Sequence, residues 1–169
     1  MSFFSKLFGK SENVPKPVEE RTMFNLQLDD IVTYDLEDYK VVGKISYDDH
    51  GFKWHAYQLD SVSGTIWLSV ELDDELYLGM YKKAKLKLQE PIPKKIEYDG
   101  NVYYLDESGS ARVTAIGRSQ NVNGMTCGYY DYCDEEEEKY LSVEKWGSEI
   151  EVSTGYDIEE YELKIIASK

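Results

Sequence analysis

Long apolar runs, alanine, cysteine and histidine are what this sequence has least of, and each shortage closes off a class of protein. Nowhere does it approach the ~18 consecutive apolar residues that a membrane-spanning helix needs. The only cysteines are Cys127 and Cys133. They sit six positions apart in a stretch that reads as extended, about 20 Å of strand and far beyond disulfide reach. Neither belongs to a C-x-x-C pair or a Cys/His cluster, so both read as buried or half-buried thiols in a reducing compartment. The two histidines, His50 and His55, have no metal-ligand spacing around them and read as surface residues. No Ser/His/Asp or Cys/His constellation can be assembled, and no glycine-rich phosphate loop opens a helix. The sequence thus offers no catalytic residue, no metal and no cofactor motif.

Positive charge is also short. Nineteen Lys and Arg stand against 33 Asp and Glu, a net charge of −14. Such a field repels nucleic acid and bare anionic membrane, which excludes a nucleic-acid partner, and it attracts cations, polyamines or basic protein surfaces. The densest acidic run, Asp131 to Glu138, reads as a solvated hairpin tip, because adjacent glutamates on a loop repel one another and form no cage.

What the sequence does have is tyrosine, 15 of them, and 14% aromatic residues, a composition that favours strands over helices. Turn signals such as Asp48–Gly51, Asp60–Gly64, Asp99–Gly100 and Asn121–Gly124 recur every eight to twelve residues, the spacing of a sandwich or barrel. Expected strands include Asp30–Tyr34, Tyr39–Tyr47, Phe52–Leu59, Thr65–Leu72, Glu75–Lys82, Val102–Leu105, Ala111–Arg118, Met125–Tyr132, Glu138–Val143, Glu149–Ser153 and Tyr161–Ile166. A loop is expected at Asp106–Ser110, and one helical turn at Tyr156–Tyr161.

The chain also matches itself. Displaced by 73 positions, Leu68–Glu71 falls on Leu141–Glu144, Trp67 on Tyr140, Tyr57 on Tyr130 and Gly51 on Gly124. One further residue brings Glu75–Leu78 onto Glu149–Val152, and Ile31–Tyr34 resembles Lys95–Tyr98. A repeat of this size is one supersecondary unit used twice. The expected fold is all-β: two tandem, similar antiparallel meanders over 23–93 and 94–169, forming small barrels or a sandwich, preceded by a tip and linker over 1–22.

Alternation along Ile66–Leu72 puts Ile66, Leu68, Val70 and Leu72 on one face, read as core. The other face carries Trp67, Ser69 and Glu71, echoed by Tyr140, Ser142 and Glu144. This aromatic–hydroxyl–carboxylate row is either a ligand surface or the face where one repeat packs on the other with its glutamates at the wet rim; the second reading is preferred. An enzyme is conceivable only if Glu71 and Glu144 work as a pair in an enclosed cleft with raised pKa values. At the N-terminus Phe3, Phe4, Leu7 and Phe8 share one face of a possible short helix. Such a segment is ordered only when something holds it, so it reads as a membrane-surface helix, a segment docked on a partner or on the protein's own sheet, or a disordered tail.

Gly51, Trp54, Tyr57 and Leu59, then Gly64, Trp67, Leu68 and Glu71, together with the openings Asp30–Tyr34 and Tyr39–Gly43, resemble the bacterial domain of unknown function 4178 family. The match is strongest over residues 26 to 80. In the second copy Cys127 and Tyr140 replace the two tryptophans. The resemblance implies no mechanism, since the family has no established activity, and it points toward a membrane-linked accessory role. The function expected is therefore a non-catalytic cytoplasmic binding or adaptor module, held at the inner face of a membrane or to a protein partner by its N-terminus. Cation or polyamine sensing through the acidic surface is the alternative, and a carboxylate-pair enzyme the third reading.

Overall fold

The computed structural model describes residues 19–169. Phe3, Phe4, Leu7 and Phe8 lie outside them. The described chain is all-β, with strands β1 (Ile31–Tyr34), β2 (Glu37–Asp49), β3 (Phe52–Ser61), β4 (Gly64–Leu72), β5 (Leu76–Lys83), β6 (Lys95–Tyr98), β7 (Asn101–Gly117), β8 (Thr126–Cys133), β9 (Tyr140–Trp146), β10 (Glu149–Ile158) and β11 (Leu163–Ile166). Two single-turn 3-10 segments, Gln120–Val122 and Glu160–Glu162, interrupt them.

All strands join one sheet in the order β11-β1-β2-β3-β4-β5-β10-β9-β8-β7-β6, and β2 also pairs with β7. That last pairing closes eight strands, β2–β5 and β7–β10, into a barrel, so the halves of the chain share one barrel and do not fold into two. β2 can serve three neighbours because its start pairs with β1 and its later part with β7. β7 behaves alike, pairing first with β6 and then with β2.

Both faces of the barrel wall are covered, which explains why both faces of the sequence carry large residues. On the outside, Leu59, Ile66, Leu68, Val70 and Met80 pack under Met23, Leu26, Val32 and Leu163. On the opposite outer face Leu141, Val143 and Val152 lie under Ile96, with Leu86 and Ile92 of the linker packed on them. A third cluster, with Ile45, Tyr47, Val113, Cys127 and Trp146, fills part of the interior. β2 contributes to both sides because a bulge between Val41 and Gly43 adds one residue and turns the pleat over. Tyr39 and Val41 therefore face the outer core, and Ile45 and Tyr47 face inward.

Several expectations need correction. Asp106–Ser110 is not a loop but the middle of β7, with an irregularity between Leu105 and Glu107 where it pairs with β8. Leu72, expected in the core, is 53% exposed because β4 ends there at the barrel rim. His55 is half-buried, not a surface residue: its Nδ1 lies 2.9 Å from Ser46 Oγ and its ring 4.6 Å from that of Phe24. Burial first, and then the Lys44 charge, push its pKa down to about 4.

Candidate binding site in the barrel lumen

Alternation sends every second residue of each barrel strand inward, and the inward set leaves a cavity of about 300 Å³. Its wall is strongly aromatic: Tyr47, Trp54, Trp67, Tyr81, Tyr129 and Trp146 all line it. Backbone and neighbours fix these rings. Tyr47 stacks on Trp54 at 4.8 Å with the planes 4° apart, and Trp54 meets Tyr129 edge-on at 5.2 Å. Tyr129 lies over Gly109, where a Cβ would come within 2.5 Å of its Oη, and donates to Asp49 Oδ2 at 2.6 Å. Tyr81 lies across Gly79 and Gly155, where a Cβ would sit 2.7 Å and 2.5 Å from its ring. Glycine inside a strand marks the place where another group approaches closely, and here that group is a lumen tyrosine.

Five carboxylates come from five strands: Glu71, Glu107, Asp131, Glu144 and Glu151. Glu107 is the register partner of Asp131 across β7 and β8, and Glu151 that of Glu144 across β9 and β10. Two cations line the lumen as well, and each is committed: Lys83 Nζ is 2.8 Å from Glu151, and Arg118 is 3.0 Å from Asp60. Glu144 is held by neutral donors, Tyr47 Oη at 2.6 Å and Cys127 Sγ at 3.5 Å. Burial raises its pKa, and the two donors pull the other way. Burial also pushes Cys127 far up, with Glu144 adding to the effect, so this thiol is a donor and not a nucleophile.

Asp131 is strongly perturbed. Burial first, then the charges of Glu144, Glu107 and Glu71, push it up to about 7, and only Ser142 opposes them. By area it counts as exposed. The space it is exposed to is the lumen, walled by protein, so desolvation governs its proton affinity all the same. Glu71 is raised by burial, then by Glu107 and Asp73. Among the described residues no three His, Cys, Asp or Glu side chains come together as a metal site.

Of the row singled out in the sequence, Trp67, Ser69, Glu71, Ser142 and Glu144 all line this lumen. They meet across open space, not in a packed interface between repeats. Tyr140 does not line it; its hydroxyl donates to Glu137 O at 2.8 Å and lies 2.9 Å from Asp157 Oδ2, with its pKa raised to about 12 by burial and Asp157. Asp131, assigned by sequence to a solvated tip, is an inward residue of β8, and the tip begins only at Asp134, after β8 ends at Cys133. Glu107 and Glu151 were missed, as were Tyr47, Trp54, Tyr81 and Lys83. The alternation of β5, β8 and β10 was visible, but not which of their faces pointed inward.

The sequence profile described as Domain of unknown function (DUF4178) matches residues 27–160. The chain belongs to this family. The matched span takes in all eight strands of the barrel and every carboxylate of the lumen, while β11 lies beyond it. Uncharacterized proteins of Mycobacterium tuberculosis and Mycobacterium bovis are each 30% identical to the chain over 143 residues, covering 80% of it and 68% of their own length. No solved structure matches the chain. In this DUF4178 member the family region and the barrel with its lumen coincide.

Proposed function

We propose that the barrel is a non-catalytic binding module that takes a small molecule into its lumen. One observation carries this reading: a cavity of about 300 Å³ lined by seven large aromatic side chains, the six above and Phe52, and by polar groups from most of the barrel strands. Eight-stranded barrels have interiors wide enough for one small ligand. Concave cavities that combine large aromatic surfaces with convergent polar groups are where ligands bind. Native mass spectrometry and thermal shift of the purified full-length protein against a metabolite library test it. Ligand-dependent stabilisation that disappears in Ser142→Phe, which fills the lumen, is the expected result. A library that stabilises wild type and Ser142→Phe equally overturns it.

Two further proposals complete the reading. Phe3, Phe4, Leu7 and Phe8 dock this cytoplasmic module on the inner face of a membrane or on a protein there; flotation with liposomes of full-length protein, but not of a chain lacking residues 1–20, is the expected outcome. The barrel also arose from two tandem meanders. The palindromic strand order supports this, as do the bulges in β2 and β7, which fall 64 positions apart, the same interval as Ile31–Tyr34 to Lys95–Tyr98. A second functional reading, an acid–base enzyme, is favoured by Glu71 and Glu144 sharing one enclosed space with raised pKa values. A lumen ligand recovered chemically unchanged after prolonged incubation with the protein counts against it.

A further inference from the structure

The charges around the lumen do not balance. Among the described residues only Glu151 of the five carboxylates has an ion-pair partner, Lys83, whose charge also reaches Glu144. Glu71, Glu107, Asp131 and Glu144 form no ion pair among the described residues, and the second lining cation, Arg118, is held by Asp60. Like charges directly opposite one another on adjacent strands are destabilising, yet Glu107 faces Asp131 in register. Carboxylates desolvated without a counter-charge are expensive. The surrounding surfaces are Trp54, Trp67 and Tyr81, whose faces suit a cation or the methylene groups next to it.

The arrangement also says what kind of cation fits. A metal ion needs oxygens converging on one point, and here they do not converge. Asp131 and Glu107 adjoin on β8 and β7. Glu144 lies diagonally from Asp131, on β9 two residues beyond its register partner Ser142. Glu71 stands on β4, four barrel strands from β8 in either direction. Negative charge is thus spread over several points of an aromatic-walled space, near enough for Glu71 and Glu107 to act on each other and on Asp131. Resting on the lumen being a binding site, we infer that its ligand is an extended organic cation with two or more ammonium groups, seated between Glu71 and the Glu107–Asp131–Glu144 wall. A single ammonium group would leave most of that charge unmatched.

Calorimetry on the full-length protein at pH 7 with butylammonium, tetramethylammonium, the diammonium ion of 1,4-diaminobutane and Mg²⁺ decides it. The diammonium ion should bind at least tenfold more tightly than either monocation or Mg²⁺. Its heat should vary with the ionisation enthalpy of the buffer, because protons held in the carboxylate cluster leave as it enters. Glu71→Gln and Asp131→Asn should each reduce the tenfold advantage, and because each removes repulsion in the empty barrel, neither should unfold it. Equal affinity for the monocations, tighter binding of Mg²⁺, or no binding of the diammonium ion at millimolar concentration overturns the inference. If neutral or anionic molecules occupy the lumen in native mass spectra, the binding module stands and only the ligand class falls. If Ser142→Phe changes no ligand's binding, the module itself falls.

Discussion

Asp131 shows how a single side chain can work against the fold that holds it. Its folded pKa of about 7 lies above the usual carboxylate value, so the native state holds on to a proton that the unfolded chain releases. Stability therefore falls as pH rises from about 4 to about 7, and the penalty is complete above pH 7. Three pK units correspond to about 4 kcal/mol; because the group is open to the lumen, screening cuts this to the order of 1–2 kcal/mol. Asp131→Asn should thus stabilise the empty protein by that amount at pH 8 and hardly change it at pH 4, measured by urea unfolding. The groups facing Asp131 that shape the same curve are Glu71, Glu107, Glu144, Ser142 and Tyr81. A pH-independent effect would mean that this carboxyl titrates normally. Tyr47 works in the opposite sense. It is 4% exposed and donates to Glu144, so Tyr47→Phe should cost about 2 kcal/mol, more at high pH than at low, because losing this donor raises further a carboxyl that burial already raises. The glutamate row was legible from its alternation; Asp131 was not, because only Tyr132 and Cys133, the last residues of β8, separate this inward carboxylate from the solvated run that follows.

At the scale of elements, two seams close the barrel, and glycines mark both. Gly155 pairs with Tyr81 where β10 meets β5, and a Cβ there would stand 2.6 Å from the Met80 carbonyl oxygen, a backbone atom that cannot swing away. Gly155→Ala should cost about 2 kcal/mol in urea unfolding, typical of overpacking, and should displace Tyr81 from the lumen wall, visible as a changed tyrosine resonance. Gly117, in the β2–β7 seam, has φ +66 and the Val42 carbonyl 2.3 Å from where its Cβ would be. Outside the barrel, Asp30 fastens both ends of the described chain. It is fully buried; Gln27 N, Ser168 N and Ser168 Oγ donate to it, and Arg21 Nε makes an ionic contact at 2.8 Å without aiming its N–H along the line. Burial alone would raise its pKa; the donors and Arg21 outweigh this and hold it below the ordinary value. Asp30→Ala leaves those partners without an acceptor and should cost about 3–5 kcal/mol, with faster amide exchange in β11 before β4; uniform exchange across both strands would count against a local clasp. Strands and most turns were legible because period-two alternation and Gly-marked turns are local signals. The continuity of β7 through Asp106–Ser110 was not, since polar and glycine residues there imitate a loop while serving a lumen.

For the whole molecule, alternation tells which residues share a face but not which face is the inside. In this protein that ambiguity is complete, because the outer wall is covered by residues 23–30, β1, β11 and the linker. Ile66, Leu68 and Val70 were rightly read as core, yet they are the outside of a barrel whose inside is the polar row. The self-match also slips across the hairpins: Trp54 is opposite Glu71, but Tyr129, not Cys127, is opposite Glu144. Register of this kind depends on long-range closure and not on local pattern. Closure makes a prediction about the cooperative unit. Residues 19–93 alone would leave β2 and β5 as open edges, and residues 94–169 would leave β7 and β10 open, while β11 would lose its partner β1. Open edges of this length template aggregation, and each fragment would keep only half of the lumen wall. Expressed separately, neither fragment should show a cooperative thermal transition as a monomer. Mixed, they should recover one complex with the mass of the whole chain and a single transition. A fragment that folds alone as a stable monomer would mean that two domains, meeting near residue 93, are the units of folding, and that the lumen forms only where they dock.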